Sequence, residues 1–148
     1  LIYWDSSALI KKYLKEDGSK AVLQRLATDP VLATSQLTYA EVHATFARKL
    51  REKEISLKTY KGTCSLFEAD WQAMAIVRME DKLLPKIRSL LTKHPLRSAD
   101  SVHLASALYI SECSSKKPLP FACADNKLLQ ASISEGLVGW NPISAEVE

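Results

Sequence analysis

Three times in this chain a short apolar run stops at a polar residue and a helical pattern begins at once: LIYW (1–4) before Asp5, VLAT (31–34) before Ser35, and FACA (121–124) before Asp125. Runs this short suit buried strands better than helices, and Asp and Ser are good helix N-caps. Strands alternating with helices form βαβ units, because parallel neighbours must be joined by a crossover. The expected fold is α/β: a three-layer α/β/α sandwich around a mainly parallel sheet of about four to five strands.

The rest of the chain fits that plan. The sequence predicts a helix in SALIKKYLKE, capped by Ser6 or Ser7 and ending near Gly18, with Leu9, Ile10, Tyr13 and Leu14 on one face and Lys11, Lys12 and Lys15 elsewhere. Ser19 opens SKAVLQRLATD, stopped by Pro30, and Ser35 caps SQLTYAEVHATFARKLREKE. Further helices are expected from Ser56 to Trp71, over 80–92 with Pro85 tolerated in the first turn, from Ser98 to Cys113, and in NKLLQASISEG. MAIVRM (74–79) reads as a third strand, SSKKPLP as a loop and GLVGWNP as a closing edge strand.

At 148 residues, one domain spanning 1–148 is the simplest reading, and 47% hydrophobic with 25% charged residues is ordinary for a folded protein. The net charge of +3 neither demands nor excludes nucleic acid. No apolar stretch approaches the ~20 residues of a membrane span, and LIYWDSSALIKKYL lacks a basic leader, so a cytoplasmic protein is expected. Leu1 in place of Met suggests a trimmed end. Cys64, Cys113 and Cys123 are odd in number and form no C-x-x-C pair, and are expected as small core residues.

Against this background four carboxylates stand out. Asp5 and Asp125 follow strands, while Glu41 falls in the second turn and Asp100 in the first turn of helices that start just beyond strand ends, the edge where open parallel sheets bind ligands. Asp100 in LRSADSVHLASAL and Glu41 among Leu37, Ala40, Val42 and Ala44 are charges in apolar helices, and each needs a cation. No Lys or Arg lies one turn after Asp100. Four carboxylates at one edge repel one another unless a divalent ion neutralises them, and oxygen-only donors suit Mg²⁺ or Mn²⁺. The plain alternative for any one of them is a turn residue or cap.

Around these acids, Ser7 is expected either to bind metal or substrate near Asp5 or to cap its helix. Thr38 faces the same way as Glu41, one turn before it, and is expected to support it with a hydrogen bond. His103, one turn after Asp100, either orients it or is a hydrogen-bonded structural histidine. Arg97 is placed to neutralise Asp100 or grip a phosphate. Arg48, with Lys11, Lys12 and Lys15, is placed for nucleic-acid backbone contacts or simply solvated. Other doubly wound readings fit less well: a phosphoacceptor receiver wants paired acids where Ser6 and Ser7 follow Asp5, a haloacid-dehalogenase-type site wants an acid where Ser7 stands, and no glycine-rich loop exists for a nucleotide.

With those positions set out, the chain resembles the PIN-domain family, and within it the VapC ribonuclease toxins. The resemblance lies in D-x-S-A-L (Asp5 to Leu9), T-x-x-E (Thr38 to Glu41), A-D-x-x-H-L-A (Ala99 to Ala105), A-D-x-x-L (Ala124 to Leu128) and the closing G-L-x-x-x-N-P (Gly136 to Pro142). It implies a PIN-like fold and a Mg²⁺- or Mn²⁺-dependent endoribonuclease with Asp5, Glu41, Asp100 and Asp125 as catalytic metal ligands. It also implies a homodimer and a cognate antitoxin, expected to pack an apolar helix beside the acids and to present an Arg to them. A PIN nuclease of RNA processing, or a PIN-like module that binds RNA or protein without cutting, is the alternative.

Overall fold

The computed structural model describes residues 1–115 and 118–145. Among these, five strands form one parallel sheet in the order β3-β2-β1-β4-β5. The strands are β1 (Ile2–Trp4), β2 (Leu32–Ser35), β3 (Ala75–Val77), β4 (Pro120–Ala122) and β5 (Val138–Trp140). The helices are α1 (Ser6–Leu9), α2 (Ser19–Thr28), α3 (Leu37–Arg51), α4 (Leu57–Trp71), α5 (Leu84–Lys93), α6 (Ser98–Cys113), α7 (Asn126–Ser134) and α8 (Pro142–Ala145). Lys116 and Lys117 of the expected SSKKPLP loop lie outside the described residues.

Strand alternation builds the three layers. Tyr3 pairs with Ala33 and with Phe121, and all three enter one core together with Leu90, Leu104 and Leu128 from α5, α6 and α7. Ile2, Trp4, Leu32 and Ala122 point to the opposite face, where Leu9, Val22, Val42, Phe46 and Phe67 bring in α1 to α4. The sheet is therefore covered on both sides, as expected. β1 lies at its centre with β2 on one side and β4 on the other, which makes the carboxyl end of β1 the switch point of the topology.

Several local expectations differ from the fold. The first helix is only α1, followed by a 3-10 turn over Ile10–Lys12, and it is capped by Asp5 rather than Ser6 or Ser7. Tyr13 explains the early stop: its ring packs against Phe46 and Phe67 and its hydroxyl donates to Asp70 at 2.7 Å, drawing the chain onto α3 and α4. Ser19 closes the turn by donating to the Leu14 carbonyl at 2.9 Å. Gly18 begins α2 at φ +90°, and a Cβ there would lie 3.0 Å from the Pro142 backbone, so only glycine lets α8 approach. That short α8 follows β5 and is absent from the sequence reading. Ser35 ends β2 rather than capping α3 in the usual position, although its hydroxyl still accepts from Leu37 N–H at 3.2 Å. Of the cysteines only Cys123 is in the core; Cys64 is half-buried, and Cys113, the last residue of α6, is exposed.

Candidate active site

The four acids line one cavity of about 380 Å³ at the carboxyl edge of the sheet. A larger cavity of about 780 Å³ runs along Leu84, Pro85, Arg88 and Thr92 on α5, but no carboxylate lines it. Chemistry rather than size marks the site.

Asp5 leaves the end of β1, where its N–H donates to the Ala122 carbonyl at 2.9 Å. Its Oδ2 caps α1, accepting from Ser7 N–H at 3.0 Å and from the Ser7 hydroxyl, while Oδ1 is 3.5 Å from His103 Nε2. Asp125 repeats the division: Oδ1 caps α7 by accepting from Leu128 N–H at 3.0 Å, and Oδ2 lies 3.7 Å from Arg97. Each aspartate thus serves as a helix cap with one oxygen and joins the acid cluster with the other. Ser7 links the two loops, since its Oγ accepts from Ala124 N–H at 3.0 Å. Asp125 stands three residues beyond the end of β4 rather than directly after it.

The two helix-borne acids have different cations. Glu41 accepts from His103 Nε2 at 2.6 Å. His103 is 1% exposed, and its Nδ1 lies 3.1 Å from the Tyr3 hydroxyl. Burial pushes the imidazole's pKa down, but the charges of Asp5, Glu41 and Asp100 outweigh it and hold the value above the ordinary range. For Glu41 burial pushes upward, and His103, the Ser6 hydroxyl and Arg97 outweigh it, so the carboxyl is held below its usual value. Both shifts describe one ion pair, with the ring proton assigned to Nε2 by the carboxylates facing it. Asp100, at the start of α6, is gripped by the residue three before it: Arg97 Nε donates to Oδ2 at 3.0 Å and an Nη to Oδ1 at 3.2 Å, and Arg97 N–H reaches Oδ2 at 3.2 Å. Arg97 and Asp100, not Ser98, therefore cap α6.

Two supporting roles read from the sequence change. Thr38 is buried and shares a 2.7 Å hydrogen bond with Thr34, whose hydroxyl donates to the Trp4 carbonyl; it fastens α3 to β1 and β2 instead of holding Glu41. Of the two readings of His103, orienting Asp100 falls and a hydrogen-bonded histidine stands, its partners being Glu41 from α3 and Asp5 from the end of β1. Of the basic residues, Arg48 and Lys11 do line the cavity, but Lys11 is buried and bonded to Glu16 at 3.2 Å, and Arg48 bonds Glu52 at 3.2 Å. Lys12 turns away to Asp70 at 2.5 Å. Tyr3 and Cys123 were missed. Strand alternation sends Tyr3 under His103, whereas nothing in the sequence placed Cys123 against Asp5 at 3.7 Å, where burial and then the Asp5 charge push its pKa up and keep it a thiol.

Over residues 2–112 the chain matches the family described as the PIN domain. Ribonuclease VapC45 from Mycobacterium tuberculosis is 30% identical to it over 112 residues, which make up 76% of this chain and 78% of the relative. Among solved structures, FitAcB from Neisseria gonorrhoeae is similar with a TM-score of 0.73 at 16% identity, covering 96% of this chain and 98% of that one. A toxin-antitoxin complex from Klebsiella pneumoniae is similar with a TM-score of 0.60 at 17% identity, covering 86% of this chain and 88% of that one. The sequence match and the shared architecture agree, and the chain belongs to the PIN domain family, with a relative named ribonuclease VapC.

Proposed function

We propose that this chain is a Mg²⁺- or Mn²⁺-dependent endoribonuclease and the toxin of a type II toxin-antitoxin pair, with one PIN unit spanning the chain. The observation that carries this reading is the convergence of Asp5, Glu41, Asp100 and Asp125 on one cavity at the sheet's switch point. A relative that is a ribonuclease supports RNA as substrate, and a structural neighbour that is a toxin-antitoxin complex supports an antitoxin partner. A homodimer follows from the same family reading.

The donor set fits a hard divalent cation: every candidate ligand is a carboxylate oxygen, and Asp5 Oδ1 and Asp125 Oδ2 are free of helix capping. As placed, no three His, Cys, Asp or Glu side chains among the described residues close tightly enough to hold an ion, and the cations beside the acids are His103 and Arg97. When bound there, a divalent ion would acidify an attacking water and offset charge building up on the phosphodiester. The chain's own residues do the positioning. His103 keeps Glu41 ionised and lies beside Asp5, Ser7 ties the Asp5 loop to the Asp125 loop, and Arg97 holds Asp100 until a ligand competes for it.

The test is incubation of purified protein with mixed cellular RNA and Mg²⁺ or Mn²⁺, with EDTA and Asp100→Asn as controls. Cleavage lost in both controls is the expected result. RNA left intact, or cut equally by Asp100→Asn, would overturn the nuclease reading and favour a module that binds without cutting.

A further inference from the structure

A second cavity, of about 500 Å³, adjoins the acid cavity and shares Arg97, Asp100 and Asp125 with it. Its remaining wall is Pro95, Leu96, Asn126 and Lys127. Lys127 is exposed and makes no ion pair among the described residues. The neighbouring Asn126 is fixed in place, its Oδ1 accepting from Asn141 Nδ2 at 3.2 Å. Arg97 stands between the two cavities with a side chain 76% exposed, so only its bonds to Asp100 and its attraction to Asp125 hold it there.

A single RNA strand with its scissile phosphate at the acids must carry the next phosphate out of the cavity on one side or the other. On the Lys11 and Arg48 side the cations are taken, by Glu16 and Glu52. On the other side Lys127 is an uncommitted point charge, and Arg97 offers a planar fork able to meet a phosphate. Pro95 and Leu96 add an apolar wall suited to a ribose or an unstacked base. We propose that this second cavity is the subsite for the RNA phosphate adjacent to the scissile one, held by Lys127 and by Arg97 once it swings off Asp100. The proposal rests on the nuclease reading. It gives the strand a defined exit and makes Lys127 a substrate-binding residue outside the acid cluster.

Steady-state cleavage of an oligoribonucleotide cut by the wild type tests it, repeated across salt concentrations with Lys127→Gln and Lys127→Arg. Lys127→Gln should raise KM several-fold with kcat unchanged and reduce the log-log salt slope by about 0.7, the value for one single-strand phosphate contact. Lys127→Arg should restore both, and the melting temperature should not move. A neutral methylphosphonate in place of the phosphate next to the cut should weaken the wild type more than it weakens Lys127→Gln, which has only Arg97 left to lose there. If the wild type cleaves while Lys127→Gln keeps its KM and salt slope, the subsite is overturned and the nuclease reading survives. If the wild type neither binds nor cleaves any RNA, both fall together.

Discussion

The two arms of the acid cluster are neutralised in opposite ways. Asp5 and Glu41 meet His103, which is buried between the layers, whereas Asp100 and Asp125 meet Arg97, which is mostly in solvent. A buried charge pair is costly to break because the remaining partner stays desolvated, while an exposed pair is screened and worth little. One arm is therefore built into the fold, and the other can be opened by a ligand.

Removing the buried cation breaks the comparison most strongly. His103→Ala should cost about 3–5 kcal/mol, since it leaves Asp5 and Glu41 without the buried cation they share, with only the more distant, exposed Arg97 to offset them; urea denaturation in EDTA measures this. The pH dependence has a definite sign. His103 is raised in the fold, so its contribution is complete below its ordinary value of 6.5 and is lost as pH rises through the folded value. Glu41 is lowered, so its contribution is present above 4.5 and is lost as pH falls through the folded value. Wild-type stability should fall on the alkaline side, and His103→Ala should flatten that limb. A variant as stable as wild type would mean that the imidazole is not a structural cation.

Arg97→Ala sharpens the contrast with a smaller effect. The side chain is 76% exposed, so the loss should stay within about 1 kcal/mol. By the same reasoning this variant should bind Mg²⁺ no more weakly than wild type, since Arg97 and the ion compete for Asp100. A loss as large as that of His103→Ala would show that both arms are structural.

What could be read from the sequence follows the same division. Contacts within one segment are legible: the end of β1, Asp5 and Asp125 beside their helices, and the three-residue spacing of Arg97 and Asp100 all follow from local period and capping, although β2 and β4 end one residue later and two residues earlier than expected. Contacts between layers are not. Helical spacing offers His103 only Asp100, its neighbour on the same helix, while its partners arrive from the end of β1 and from α3. The helical pattern puts Lys11 on a polar face, free for nucleic acid or solvent, but α1 stops early and the 3-10 turn carries Lys11 into the cavity wall. The choice between cap and ligand for Asp5 and Asp125 was a false one, since a carboxylate has two oxygens and the fold uses one of each for capping.

On the proposed reading, the two arms enclose a site for one kind of ligand, a divalent cation. Thermal unfolding of wild type and Asp5→Asn, followed as Mg²⁺ or Mn²⁺ is added, decides whether they do. The account predicts that the melting temperature of the wild type rises with ion concentration, as for any ligand that binds only the native state, and that Asp5→Asn shows no rise. A wild type that does not respond, or an equal rise in the variant, would contradict it.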